Sequence, residues 1–240
     1  MKLLAFDTST ETLSVAASAG GTAPVREITG PGGPRASAAL IPAIEQVLAE
    51  AGLTLAGLDA IVFGRGPGSF TGLRTAAAVA QGLGFGSGVP VLALDTLQAV
   101  AEEAFLADGA THIVALLDAR MGEVYAAAFE RRGEGWITHQ APLLQRPQDV
   151  GVAPGWALAG NAIALPGWQL PPGTPHIPAL PTARALLRLA PAALAAGSAH
   201  GAADALPLYI RDKVAQTTEE RAADRARKEM RRGASAAEPR

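Results

Sequence analysis

Two short carboxylate-bearing segments are the first candidates for chemistry in this 240-residue chain. Asp7, Thr8 and Ser9 follow the apolar residues Ala5 and Phe6, and Asp118, Arg120 and Glu123 follow or flank Leu116 and Leu117, at an offset of 111 residues. In each case an apolar run ends on Asp, a short polar turn follows (Thr8 to Thr12, Ala119 to Glu123), and a second apolar run begins at Leu13 or Val124. A carboxylate at the mouth of such a hairpin can hold a hydrated Mg²⁺ beside an anion that faces the turn amides. Asp also ends strands and opens turns by bonding its own backbone. Spacing alone leaves both readings open.

The third candidate is Gly64-Arg65-Gly66-Pro67-Gly68-Ser69-Phe70-Thr71-Gly72-Leu73-Arg74, which joins an apolar run to a helical pattern. Amides in a strand-to-helix turn point beyond the sheet edge and suit an anion. The segment is not a P-loop, since no Lys follows its last glycine, nor a dinucleotide fingerprint, since Thr71 stands at the third glycine position. Arg65 and Arg74 could neutralise a phosphate, pair with a partner's carboxylates or stand in solvent. In the helix beginning near Thr71, the residues Thr75, Val79, Gly82 and Gly86 recur at spacings of 4, 3 and 4. They form a small face fit for close approach by a partner helix, or for packing on the chain's own sheet. No cysteine is present. His112, His139, His176 and His200 are too scattered to read as a metal motif, so a metal site is not expected.

The elements that position these groups alternate. The patterning predicts strands over 2–7, 13–19 and 25–29, a helix over 38–51, a strand over 60–64, a helix over 71–86, a strand over 89–94 and a helix capped by Asp95 with Gln98 at its third position. Strands over 112–118 and 123–130 restart the pattern, a Pro- and Gly-rich stretch spans 141–181, and a helix over 182–195 interrupted by Pro191 precedes a short strand over 206–210. With 49% hydrophobic and 18% charged residues, the chain has the composition of a globular α/β protein. Its formal charge of −2 argues against whole-surface binding of polyanions. Residues 211–240 differ, with nine Lys or Arg and six Asp or Glu. Thr217 with Glu220 makes a capping box there, which predicts a solvated charged helix or a basic strip that touches RNA. No window is long and apolar enough to span a membrane, and the start has no signal-like run. The expectation is a cytoplasmic protein.

AFDTST at the start, GRGPGSFTGLR, LLDARMGEVYAA at mid-chain and LPLYIRDKVA near the end together resemble the bacterial TsaB (YeaZ) family. The resemblance implies two actin-like (ASKHA, ribonuclease-H-like) α/β domains over 1–108 and 109–215, followed by a charged helical or flexible tail over 216–240. It implies a noncatalytic subunit that partners TsaD, with TsaE joining as an ATPase, in making N6-threonylcarbamoyladenosine at position 37 of tRNAs that read codons beginning with A. It makes Asp7, Thr8, Ser9, Asp118, Arg120 and Glu123 vestigial phosphate hairpins and makes Gly64–Arg74 the signature loop. It also turns the Thr75–Gly86 face toward a TsaD-type subunit or, when the chain is alone, toward a second copy. TsaD carries paired metal-binding histidines on its first helix, whereas the stretch 25–50 here has none. Ala159-Gly160-Asn161 is a fragment of an adenine loop, so no cofactor is expected beyond weak or vestigial Mg-ATP. tRNA is expected only through the complex, and no membrane partner is expected.

The competing reading is an ATP-dependent actin-like small-molecule kinase using Asp7 and Asp118 around Mg²⁺. A metallopeptidase would need a metal site that the residues do not offer, and direct tRNA binding would rest on Arg221, Arg225, Arg227, Lys228, Arg231 and Arg232 in the tail. An assembly subunit ranks first, then the enzyme, then an independent RNA binder.

Overall fold

A computed structural model describes residues 1–165, Trp168 and residues 173–211. The first half runs β1 (Leu3–Asp7), β2 (Thr12–Ser18), β3 (Arg26–Pro31), α1 (Ala36–Ala51), β4 (Ala60–Gly66), α2 (Phe70–Ser87), β5 (Val91–Asp95) and α3 (Thr96–Asp108). The second runs β6 (His112–Arg120), β7 (Glu123–Arg132), β8 (Gly135–Gln145), β9 (Ala157–Gly160), β10 (His176–Ile177) and α4 (Ala183–Ala195). Two five-stranded sheets result, ordered β3-β2-β1-β4-β5 and β8-β7-β6-β9-β10. In each, the first three strands form an antiparallel meander, the fourth adds in parallel to the first and the fifth in parallel to the fourth. The 111-residue offset is therefore a repeat of strand order as well as of motif. This is the actin-like, ribonuclease-H-like α/β fold.

Alternation along the strands decides which helix covers which face. Leu4, Phe6, Val15, Ile61 and Phe63 bury one face of the first sheet against Leu40, Ile44 and Val47 of α1 and Ala76 and Ala80 of α2. Leu3, Ala5, Val62 and Leu92 bury the other face against Leu186, Leu189 and Ala190 of α4. Ile113, Ala115, Leu117 and Phe129 of the second sheet meet Leu97, Val100 and Ala104 of α3. The halves thus exchange helices, and residues 1–210 form one packing unit. Each large side chain among these contributes about 2 kcal/mol of burial.

Several predicted elements change in detail. The helix of 182–195 is not interrupted: α4 runs through Pro191, with Thr182 as its N-cap accepting from the Ala185 N–H at 3.0 Å. Asp95 stands at the N-cap of α3 as expected, but its carboxylate makes no capping bond and takes Arg65 instead. The strand expected over 206–210 does not form. Pro207 lacks a donor, and Leu208 N–H makes a bond of 2.7 Å to the Arg65 carbonyl, so the segment lies as an irregular strap beside the loop. The Pro- and Gly-rich stretch carries the end of β8 together with β9 and β10. The expected tail helix from Thr217 lies outside the described residues. No helix among the described residues is long and apolar enough to cross a membrane.

Candidate functional site

β1 delivers Asp7 to the junction with β2, where only 1% of it is exposed. Its Oδ1 accepts from the Ser9 N–H at 2.8 Å and from Ser9 Oγ at 2.6 Å, and its Oδ2 accepts from Thr96 Oγ1 at 3.3 Å. Thr96 in turn accepts from the Gly66 N–H at 3.1 Å. One carboxylate thus links the first hairpin, the start of α3 and the end of β4. Burial pushes the Asp7 carboxyl above its ordinary value, with the bonds from Ser9 and Thr96 pulling the other way.

The glycine-rich loop lies directly on this hairpin. Thr8 Oγ1 donates to the Gly72 carbonyl at 2.8 Å, and the Ser69 N–H donates to the Ser9 carbonyl at 2.7 Å. A methyl group on Gly64 would stand 1.8 Å from Asp7 Oδ2, one on Gly72 1.8 Å from the Thr8 carbonyl oxygen, and one on Gly68 2.5 Å from that of Ser9. Gly68 and Gly72 are required by close approach of two backbones, and Gly64 by the Asp7 carboxylate lying against it. Thr8 and Ser9 are buried beneath the loop, so this hairpin is a covered joint.

The second hairpin repeats the turn bond with other partners around it. Asp118 Oδ1 accepts from the Arg120 N–H at 2.7 Å, two residues on as in the first hairpin, and the Asp118 N–H donates to Asn161 Oδ1 at 3.0 Å. Whereas Asp7 pairs with Ser14, Asp118 pairs with Val124 and Arg120 with Glu123, leaving a tight turn at Met121 and Gly122. Arg120, Met121 and Gly122 all have positive φ, at 65°, 59° and 75°. The Arg120 guanidinium reaches Asp118 and also Glu11 at the tip of the first hairpin, so an ion pair joins the two tips. The Ala159-Gly160-Asn161 fragment is also engaged internally: Gly160 lies against the Leu116 carbonyl, and Asn161 holds the Asp118 amide.

On α2, Thr75 and Val79 are half-buried, with Val79 packed on the core and Thr75 Oγ1 bonded to the Thr71 carbonyl at 3.0 Å. Gly82 and Gly86 are exposed, and a methyl on either meets nothing within 4 Å. The outward stripe is Arg74, Ala78, Gly82 and Gly86, joined by Phe85, which is 69% exposed. At its N-terminal end the Arg74 guanidinium stands 4.0 Å over the Phe70 ring and donates through Nε to Tyr209 Oη at 3.0 Å. Arg65 Nε donates to Asp95 Oδ1 at 2.6 Å. Sequence reasoning missed Thr96, Asp95, Glu11 and Tyr209, which act only through contacts distant in sequence; Phe85 was available as a large apolar residue on the outward side of a helix. His112 and His139 come together on the Trp156 ring, at centroid distances of 5.2 and 5.5 Å, and His139 also bonds Glu130 at 2.7 Å, whereas His200 pairs with Val91 through its backbone. Among the described residues no three His, Asp or Glu side chains converge as a metal site.

Two sheets of identical strand order, paired hairpins facing across their tips and an exposed small-residue helix define a duplicated actin-like protein. The sequence model of the family described as "TsaD: tRNA N6-adenosine threonylcarbamoyltransferase" matches residues 33–152. The tRNA threonylcarbamoyladenosine biosynthesis protein TsaB of Escherichia coli K12 is 33% identical over 232 residues, covering 90% of this chain and 96% of that protein. The solved structure of YeaZ from Pseudomonas aeruginosa is 36% identical, with a TM-score of 0.78, and covers 87% of this chain and 99% of that one. A second P. aeruginosa structure, described as similar to peptidase YEAZ, has a TM-score of 0.80 at 36% identity and covers 88% of this chain and 99% of its own. The chain belongs to the TsaB (YeaZ) family.

Proposed function

We propose that this chain is a noncatalytic assembly subunit in tRNA threonylcarbamoyladenosine biosynthesis. It docks a TsaD-type actin-like catalytic subunit, a TsaE-type ATPase joins them, and N6-threonylcarbamoyladenosine forms at position 37 of tRNAs reading codons that begin with A. The tRNA is reached through the complex, the chain pairs with itself when alone, and the work is cytoplasmic. Its E. coli relative carries the name of that pathway, and the family model that matches half the chain is that of the TsaD-type enzyme, so the partner has a related fold.

One observation carries the noncatalytic reading. The groups that an actin-like ATPase would turn to nucleotide are bonded within this chain, Asp7 to Ser9 and Thr96 and Asp118 to the Arg120 amide. The outward stripe of α2, by contrast, is open. The kinase reading rests on the same two carboxylates and needs Mg-ATP to displace those bonds.

Reconstitution tests the proposal. The purified chain, given tRNA and threonylcarbamoyl-adenylate, forms no modified nucleoside, and a TsaD-type subunit with a TsaE-type ATPase restores formation. Turnover by the chain alone overturns it. Calorimetry with Mg-ATP separates the kinase reading: the expected binding is weaker than about 1 mM, or roughly 4 kcal/mol, and saturable micromolar binding abolished by Asp7→Asn would promote the enzyme.

A further inference from the structure

Asp7 is the acid that an actin-like fold would present to Mg²⁺, yet here it is closed off from solvent and bonded on both oxygens. From Oδ2 the path runs through Thr96 Oγ1 to the Gly66 N–H, and from Oδ1 it runs through Ser9, whose carbonyl accepts the Ser69 N–H. These two amides lie on either side of the loop's centre, the cis Gly66–Pro67 bond and Gly68. The residues just outside them, Arg65 and Phe70, carry the loop's outward side chains, with Arg74 stacked on Phe70. A buried carboxylate with no ligand role is costly unless its bonds organise something.

We propose that Asp7 is a positioning residue whose carboxylate hangs the Gly64–Arg74 loop on the first hairpin, fixing how Arg65, Phe70 and Arg74 meet the docking subunit. The last clause rests on the partner reading given under Proposed function. The loop-hanging step stands on the hydrogen bonds alone. Gly64 belongs to the same device, since any Cβ there would occupy the place of Asp7 Oδ2.

The test uses the full chain, four variants and three readouts: local amide hydrogen exchange, affinity for a TsaD-type subunit, and thermal melting. Thr96→Val removes the hydroxyl link to Gly66 while keeping the side-chain shape and Asp7 itself. It is expected to speed exchange at Gly66 about tenfold or more with the rest of the first sheet unchanged, and to weaken partner affinity several-fold. Asp7→Ala speeds exchange at both Gly66 and Ser69 and lowers melting, and Gly64→Ala does the same by pushing the carboxylate aside.

The double variant Asp7→Ala/Gly64→Ala places a methyl in the space that the carboxylate leaves. Coupling between the two sites should return much of the melting temperature. Because no acceptor is restored, loop exchange stays fast and partner affinity stays low. Recovery of affinity in the double variant would mean that Asp7 only fills space and overturns the proposal. Wild-type exchange at Gly66 and Ser69 in Asp7→Ala and Thr96→Val also overturns it, as does faster exchange with unchanged partner affinity. If the wild-type chain binds no TsaD-type subunit at all, the partner reading fails, and the exchange measurements still decide whether Asp7 hangs the loop.

Discussion

The two halves share a strand order and differ in what covers it. On the first sheet, the connections from β3 to β4 and from β4 to β5 are the helices α1 and α2, whereas on the second the described residues of the equivalent connections carry 3₁₀ turns at Pro147–Asp149 and Ala162–Ala164. Val114, Leu116, Val124 and Leu158 are covered there by Ala162, Val150, Val152 and Trp156 from those loops. Helices with an outward face therefore exist on the first half alone among the described connections. The second half contributes support, in α4 beneath the first sheet and in the strap whose Tyr209 holds Arg74. Of the two repeated sheets, the first alone carries, among the described residues, helical connections with an outward stripe open to solvent.

The sharpest break in this comparison is expected at the hairpins. Gly72→Ala drives a methyl into the Thr8 carbonyl, which is backbone at a buried joint and cannot move aside. The expected loss is about 3 kcal/mol, in the range of forced overpacking or a broken buried contact. At the corresponding second hairpin, Gly122→Ala faces open space among the described residues at a φ of 75°. Its cost is the left-handed backbone alone, about 1 kcal/mol. Denaturant melts of both variants check the ratio, and equal losses would mean that the first hairpin is not covered as described.

Next in size is the helix face. Gly82→Arg adds a long cation where a methyl meets nothing among the described residues, so circular dichroism and melting should be close to wild type, with α2 slightly favoured by losing a helix-interior glycine. Self-association and binding of a TsaD-type subunit should fall tenfold or more, since an aligned helix pair cannot admit the side chain. Light scattering after size exclusion reads both. An unaffected oligomer with unaffected partner binding moves the interface off α2.

Much of this contrast is legible in sequence. The apolar runs ending in Asp7 and Asp118 and their constant offset raise duplication as one of two readings, which the family resemblance then decides, and the glycine-rich turn marks the loop because it is a local pattern. The exchange of α3 and α4 between sheets is not legible, since the apolar stripe on α4 fits either sheet equally well. Glycines 64, 68 and 72 read as a turn that could hold an anion, but what they approach is the Thr8–Ser9 backbone and Asp7 more than fifty residues away. β9 and β10 are four and two residues long and sit among prolines, too short for periodicity to register. Tyr209 lies in a segment whose alternation predicts a strand, and its role as a strap depends on the loop it meets.

The smallest expected effect concerns acid stability, where the halves should slope in opposite senses. Glu130, on β7 of the second sheet, is held down to about 2 from an ordinary 4.5, first by the hydrogen bonds from Arg132 and His139. Its folded form gives up its proton more readily than the unfolded chain does. The stabilisation is complete above about 4.5 and is lost as pH falls toward 2. Asp7 is shifted the other way, chiefly by burial, from an ordinary 3.8. The folded chain then binds that proton more tightly than the unfolded chain, so its contribution declines as pH rises from 3.8 through the raised value and is level beyond it. Relative to wild type, Glu130→Gln should flatten the loss of stability on acidification. Asp7→Asn carries a constant offset from its altered hydrogen bonds, but the stability difference from wild type should shift in the variant's favour with rising pH. Urea midpoints taken at half-unit steps from pH 2.5 to 7 read the two slopes directly. A common sign would mean that Asp7 is stabilised as an anion by its three donors more than burial opposes it.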